Sequence, residues 1–226
     1  MRTKQKVDYL KGFVTENRFE TFSRVLNQRT RYISIALEDI FQTHNASAIL
    51  RSCDCFGVQD VHMIENSNDF NTNPEIALGS SKWLSTYRHN SFENNTQITI
   101  SYLKERKYRI IATSPHKNEC SLEDLDLTKG KIALFFGSEL PGLSDIVMQN
   151  ADEFVKIPMQ GFTESFNISV SAAICLYDIT KRLRTSQIQW QLEDDEKDEI
   201  MFHWLKNTIK DSKNILNRLP NLYTEY

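Results

Sequence analysis

An α/β fold, a mostly parallel sheet flanked by helices, is predicted by two features of this 226-residue chain. Apolar runs of strand length alternate with segments of helical periodicity through most of its length. Each parallel crossover needs a connecting helix, so alternation of this kind builds a parallel sheet. Glycine is the second feature. There are seven, about half the usual usage. Yet Gly137, Gly142 and Gly161 fall within 25 residues, each just after a run that reads as a strand. Glycine at a strand end lets the backbone turn sharply or approach a ligand. Three near one sheet edge favour a binding crevice over three unrelated turns.

The elements follow in order. Residues 3–28 read as one helix, with Val7, Leu10, Val14, Phe19, Phe22 and Leu26 at roughly helical spacing. "YISIALEDI" (32–40) reads as a strand. Residues 47–56 read as a helix, with Asn45 as N-cap and Gly57 as the stop. "DVHMIE" (60–65) is a strand, and residues 66–81, rich in Asn, Ser and Thr, are a loop. Residues 96–107 are helical, and "YRIIATS" and "KIALFF" are strands. A helix over 143–150 and the strand "EFVKIP" come next. The helix over 165–184 is apolar nearly all round, through Ile168, Val170, Ala172, Ala173, Ile174, Leu176 and Ile179. Such a helix is buried on more than one side, which predicts a subunit interface and hence a homodimer. Residues 185–226 form a polar, helical tail, acidic then basic, and the acid run "EDDEKDE" is expected to face solvent. The domain plan is therefore a basic helical extension (1–32), an α/β domain (33–184) and a C-terminal helical extension (185–226).

Composition narrows the function. The chain is 40% apolar and 25% charged, as globular proteins are. No apolar run approaches the roughly 18 residues that span a bilayer, and "MRTKQKVDYL" has no apolar core or cleavage-like site, so neither a membrane span nor a leader peptide is expected. Four cysteines without a C-x-x-C pair suggest neither zinc nor a disulfide framework; reduced thiols in a cytoplasmic protein are expected. The five histidines lack metal-ligand spacing, so no metal is expected. The net charge is −3, but the first 32 residues carry +5 and the rest −8. That asymmetry suits a basic arm for an anionic partner, although a solvated basic helix gives the same pattern. G-x-G-x-x-G, G-x-x-x-x-G-K-[ST] and G-x-S-x-G are all absent, against a dinucleotide enzyme, a P-loop NTPase and an α/β-hydrolase.

Three stretches stand out: "NASAILRSCDCFG" (45–57), "FGSELPGLS" (136–144) and "IPMQGFTESFNISVSAA" (157–173). Their order and spacing resemble the three motifs of the SPOUT superfamily of RNA methyltransferases, TrmH (SpoU) branch, and "LGSSKWL" (78–84) resembles an intervening family segment. The resemblance runs from about residue 33 to 184. It implies a fold with a deep C-terminal trefoil knot, a homodimer, S-adenosylmethionine as cofactor, and methylation of a ribose 2′-hydroxyl of RNA. Carried over by position, cofactor contacts fall on Thr113, Gly137, Ile157, Met159 and Phe166, the last where the family usually has leucine. Catalysis falls on Arg51, supported by Asn45, Glu139, Ser165 and Asn167. The resemblance implies that Arg51 acts as base on the ribose hydroxyl, activated by the substrate phosphate. Because arginine is protonated at any normal pH, the simpler form is that Arg51 orients hydroxyl and phosphate while the site assists proton loss. The short extensions resemble the layout of enzymes that methylate guanosine 18 in the D-loop of tRNA, with the basic N-terminal helix on phosphates. Two alternatives stand beside this one: another tRNA position or rRNA as substrate, and a non-catalytic RNA-binding homologue.

Overall fold

The computed structural model describes residues 3–71, 73–114, 120–138 and 141–218. In chain order the elements are α1 (Thr3–Lys11), α2 (Glu16–Leu26), β1 (Thr30–Glu38), α3 (Thr43–Phe56), β2 (Val58–Ile64), α4 (Pro74–Ala77), β3 (Ser85–His89), α5 (Asn95–Glu105) and β4 (Arg109–Thr113). They continue with β5 (Cys120–Ser121), β6 (Ile132–Phe136), α6 (Asp145–Asn150), β7 (Glu153–Lys156), α7 (Ile168–Thr185), α8 (Asp194–Thr208) and α9 (Ser212–Asn217). The chain divides into two compact units: Thr30–Trp190, and the residues that precede and follow it.

The Thr30–Trp190 unit is a seven-stranded sheet in the order β3-β2-β1-β6-β4-β7-β5, and every strand pairing is parallel. β2 and β6 are buried along their whole length and β1 nearly so, as expected of strands covered by helices on both faces. On one face Ile33, Ile35 and Leu37 of β1 join Ile49, Leu50 and Cys53 of α3 and Ala172, Leu176 and Ile179 of α7. On the other, Ala36, Ala133 and Phe135 join Ile100 and Leu103 of α5 and Val147 of α6. Each such Ile or Leu contributes about 1.5–3 kcal/mol by leaving water. The two layers therefore fix which strand ends meet which helix ends.

The second unit is helical. Phe22 of α2 meets Trp204 of α8 edge to face, with centroids 5.7 Å apart, and Val7, Leu10, Leu26, Ile200, Met201 and Leu205 are buried. Lys6 lies over Phe202 and Lys11 over Phe19. Asp194, Asp195 and Glu196 occupy the first turn of α8, where the helix dipole favours acids. Glu193–Asp195 and Glu199 are exposed, while Glu196 and Asp198 are half-buried.

Several sequence expectations need correction. The single helix over 3–28 is two, because the chain turns at Gly12–Val14 and Thr15 restarts it by accepting from the Arg18 N–H. Asn45 is not the N-cap of its helix. Gln42 occupies that place, so α3 starts four residues earlier than the pattern suggested and Asn45 sits buried in its first turn. Gly57 does stop the helix, at φ 76°. The loop over 66–81 contains the short α4 and a 3-10 turn over Ser80–Lys82. β3 was not foreseen, since "STYRH" alternates half-buried and exposed residues at the sheet edge and has no apolar run. The two-residue β5 was not foreseen either. α7 begins at Ile168, not 165, because Asn167 caps it.

Candidate active site

The C-terminal ends of β4, β6 and β7 open onto a cavity of about 630 Å3. Crevices outside the carboxyl ends of parallel strands are where α/β sheets bind ligands. Thr113 stands at the end of β4, and its hydroxyl donates to the Phe135 carbonyl of β6 at 2.7 Å. After β6 the chain doubles back at once: the Gly142 N–H donates to the Ser138 carbonyl at 3.0 Å. A Cβ on Gly137 would lie 2.1 Å from the carbonyl group of Gly142, so only glycine fits. Gly142 itself has φ 70°, which suits glycine. Gly161, by contrast, is exposed, with no atom nearer than 4.0 Å to an added Cβ; neither space nor backbone conformation requires a glycine there. Ile157 and Met159 line the cavity after β7, and Glu164, Ser165, Phe166 and Asn167 close it ahead of α7. Cys175 of α7 forms part of the floor, and burial pushes its thiol up to about 12. It is a neutral packing group rather than a nucleophile.

Asn167 ties this cavity to the first motif. Its Oδ1 accepts from the Ser169 N–H at 2.9 Å and the Ser169 hydroxyl at 2.6 Å, capping α7. Its Nδ2 donates to Asn45 Oδ1 at 3.1 Å, and Asn45 in turn donates to Gln42 Oε1 at 3.1 Å. Arg51 is exposed on α3, about 9 Å further along the helix axis than Asn45. Among the described residues no hydrogen bond or ion pair holds its guanidinium. The structure thus brings Thr113, Gly137, Ile157, Met159, Ser165, Phe166 and Asn167 to one cavity and links Asn45 to it, while Arg51 stands outside the lining. Glu139 lies outside the described residues.

The neighbouring strand ends are built differently. Asp39, after β1, accepts the Asn66, Ser67 and Asn68 N–H groups on Oδ1 at 2.7, 2.8 and 3.2 Å. Glu65, after β2, takes the Arg88 guanidinium, with Nε at 3.1 Å, and the Phe70 N–H. Burial pushes the Glu65 carboxyl up, but Arg88 and the Phe70 N–H outweigh that and hold it below its ordinary value. Glu38 is 3% exposed and binds Thr96 and Ser144. Sequence reasoning passed over Glu38 and the lining residues Ser138, Lys156 and Glu164; an acid at the end of an apolar strand, as in "IALED", was the available signal. Among the described residues no group of three or more His, Cys, Asp and Glu is placed to hold a metal, and no helix is long and apolar enough to cross a membrane.

The SpoU rRNA Methylase family model matches residues 32–177, the stretch that contains all three motifs and the cavity strands. The chain belongs to that family. A tRNA (guanosine(18)-2′-O)-methyltransferase of Borreliella burgdorferi is 40% identical over 213 residues, covering 94% of this chain and 95% of its own. Among solved structures, the TrmH/SpoU tRNA modifying enzyme of A. aeolicus superposes with a TM-score of 0.75 at 29% identity, covering 86% of this chain and 98% of that one. The SpoU methyltransferase AviRb of Streptomyces viridochromogenes, solved with the cofactor AdoMet, shares the fold at a TM-score of 0.58 and 19% identity, covering 73% of this chain and 62% of that one. As a SpoU-family protein, this chain keeps its family likeness in the motif stretch.

Proposed function

We propose that the protein binds S-adenosylmethionine in the cavity and methylates the ribose 2′-hydroxyl of guanosine 18 in tRNA. The observation that carries this reading is the 40% identity to the Borreliella burgdorferi enzyme, which extends over 94% of the chain and so includes both units. The cavity supports it. Its volume lies within the roughly 300–1,000 Å3 of small-molecule sites, and Gly137 is a backbone cradle that a Cβ would fill. Thr113, Gly137, Ile157, Met159 and Phe166 would hold the cofactor, whose sulfonium supplies the methyl group when bound.

The chain's own groups do the rest. Arg51, free among the described residues and carrying a planar fork of donors, orients the ribose hydroxyl and an adjoining phosphate together. As the oxygen takes the methyl group, its proton would leave to that phosphate or to water, and S-adenosylhomocysteine would be the leaving group. The Asn45–Asn167 pair and Ser165 hold the acceptor's position relative to the cavity. Glu139 is retained as a candidate partner of Arg51 on the family resemblance alone. The basic side chains of the helical unit, among them Lys4, Lys11 and Arg18, supply the phosphate contacts that dominate RNA affinity. Val170 and Tyr177 leave α7 with 45% and 57% of their surface exposed, which supports pairing with a second copy of the chain. The trefoil knot implied by the family resemblance belongs to the same reading. Four free cysteines support a cytoplasmic setting.

The test is methyl transfer from tritiated cofactor to an unmodified tRNA transcript, with the product nucleotide mapped. Methylation at guanosine 18, lost when that position is adenosine, is the expected result. Methylation elsewhere, or of rRNA alone, overturns the substrate. A folded protein that binds neither S-adenosylmethionine nor S-adenosylhomocysteine at millimolar ligand is an RNA-binding homologue instead.

A further inference from the structure

Glu38 is a buried carboxylate that takes no part in the chemistry outlined above. It is 3% exposed, and among the described residues no cation pairs with it. A charge taken out of water in this way must be met by hydrogen bonds. It is met by three. The Ser144 N–H donates to Oε2 at 2.8 Å, the Ser144 hydroxyl to Oε1 at 2.7 Å, and the Thr96 hydroxyl to Oε1 at 2.6 Å. Asn66 Nδ2 donates in turn to the Thr96 hydroxyl at 2.9 Å, and the Asn66 N–H reaches Asp39. The carboxylate is the hub of a network that crosses the end of the sheet.

What that hub fixes is the rim of the cavity. Leu37 of β1 pairs with Phe136 of β6, so Glu38 stands level with Gly137. The chain that leaves Gly137 returns through Pro141, Gly142 and Leu143, all on the cavity wall, and Ser144 is the next residue. Beyond Ser144 runs α6, which Ser144 caps through the Val147 N–H and which places Met148 on the same wall. Ser144 is thus a pivot with cavity residues on both sides, and two of its groups are bound to Glu38. We propose that Glu38 is a positioning residue for cofactor binding: it clamps the return of the loop after β6 at the separation that leaves the cavity open. It touches neither cofactor nor substrate.

This inference rests on the proposal that the cavity holds S-adenosylmethionine, and the experiment separates the two. S-adenosylhomocysteine affinity is measured by calorimetry for the wild type, Glu38→Ala, Glu38→Gln, Ser144→Ala and the double variant. Methyl transfer is followed at several cofactor and tRNA concentrations. Glu38→Ala is expected to weaken S-adenosylhomocysteine binding about tenfold and to raise the cofactor KM similarly, because a loosened wall loses contacts made only in register. The KM for tRNA, and kcat at saturating cofactor, stay near wild type. Glu38→Gln keeps an acceptor for the Ser144 N–H and an amide that the two hydroxyls can meet by rotating, so it recovers most of the affinity. Ser144→Ala is expected to weaken binding about threefold, and its effect combined with Glu38→Ala is less than additive, since the two share one contact. Leu103→Ala, which loosens α5 in the core beneath, lowers Tm and leaves affinity unchanged. A folded Glu38→Ala protein with wild-type affinity overturns the inference, as does a loss that falls on kcat or the tRNA KM alone. If Glu38→Ala does not fold, Ser144→Ala decides by the same affinity readout. A wild type that binds no S-adenosylhomocysteine overturns the cavity assignment itself.

Discussion

One edge of one sheet is finished in two opposite ways. Beyond β1, β2 and β3, three carboxylates fill the space: Glu38, Asp39 and Glu65 gather backbone N–H groups, hydroxyls and an arginine, and the loops close over them. Among the described residues, no carboxylate at the ends of β4, β6 and β7 gathers donors in this way, and Glu164 lines open space instead. The chain turns on Gly137 and Gly142, and a cavity of about 630 Å3 remains. Each half is entered by a strand buried along its whole length, β2 on one side and β6 on the other, so strand burial does not make the difference. A carboxylate at a strand end can satisfy the three or four donors that a loop would otherwise leave bare. A glycine there removes the side chain that would occupy the space. Binding sites in a parallel sheet are in this sense made by omission, and the neighbouring filled half supplies the rigidity.

Four changes break or sharpen that contrast. The largest effect is expected from filling the open half: Gly137→Ala puts a methyl group where the Gly142 carbonyl lies. It should cost at least about 10²-fold in S-adenosylhomocysteine affinity, as displaced walls do, and wild-type binding in calorimetry would show that the cavity does not depend on that glycine. Next is Arg51→Ala, which empties the proposed chemistry without filling anything. Turnover should fall about 10²-fold with S-adenosylhomocysteine affinity intact, and Arg51→Lys should fail too, having lost the planar fork. Near-normal turnover would remove Arg51 from the mechanism. Opening the filled half is a smaller matter. Glu65→Ala leaves the Phe70 N–H and the Arg88 guanidinium without their acceptor, and urea melts should show a loss of about 1–3 kcal/mol. The cofactor affinity should not move, because Glu65, unlike Glu38, holds no residue next to the cavity wall; a fall like that of Gly137→Ala would show that Glu65 positions the wall as well.

The smallest effect is a pH slope. His62 is buried on β2, stacked on Tyr87 with centroids 4.8 Å apart and within 3.0 Å of a His89 ring nitrogen, near Tyr102 and Arg106. Burial first, then His89 and Arg106, lower it from 6.5 to about 3. The unfolded chain then binds the proton more readily than the folded one. Stability is whole above pH 6.5 and declines as pH falls toward 3, by at most about 1.4 kcal/mol per pH unit. Urea melts at pH 7, 6 and 5 should show the decline, and His62→Phe should flatten it. An equal slope in the variant would assign the effect to His89 or to carboxylates.

The parallel sheet was legible because β6 is a continuous apolar run and β1 carries a nearly continuous one from Tyr32 to Leu37; β2, with Gln59, Asp60 and His62 in it, was legible only through Val61, Met63 and Ile64. β3 was not, since an edge strand half in water carries polar residues and no apolar run. The break between α1 and α2 was missed because Val14 keeps the apolar rhythm across a turn. In the candidate site, Thr113, Gly137, Ile157, Met159, Ser165, Phe166 and Asn167 were placed by motif resemblance, and they meet in one cavity. Asn45 was read from its local pattern as a helix cap, a role that Gln42 fills; its real partner is remote in the chain. Glu38 was passed over for the same reason: its partners, Thr96 and Ser144, are 58 and 106 residues away, and no local pattern records them.

The hydrogen bond between Asn45 and Asn167 joins side chains 122 residues apart in the chain. Ribosomes add about 5–20 residues each second, so the first asparagine waits on the order of 6–24 s for its partner to be made. During that interval the rest of α3 and the strands β2 to β7 are made, and α7 is made only after it. A half-made chain therefore carries the first motif before the third exists, and the cavity, whose lining includes Ile168, Ser171 and Cys175 of α7, is completed only late in synthesis.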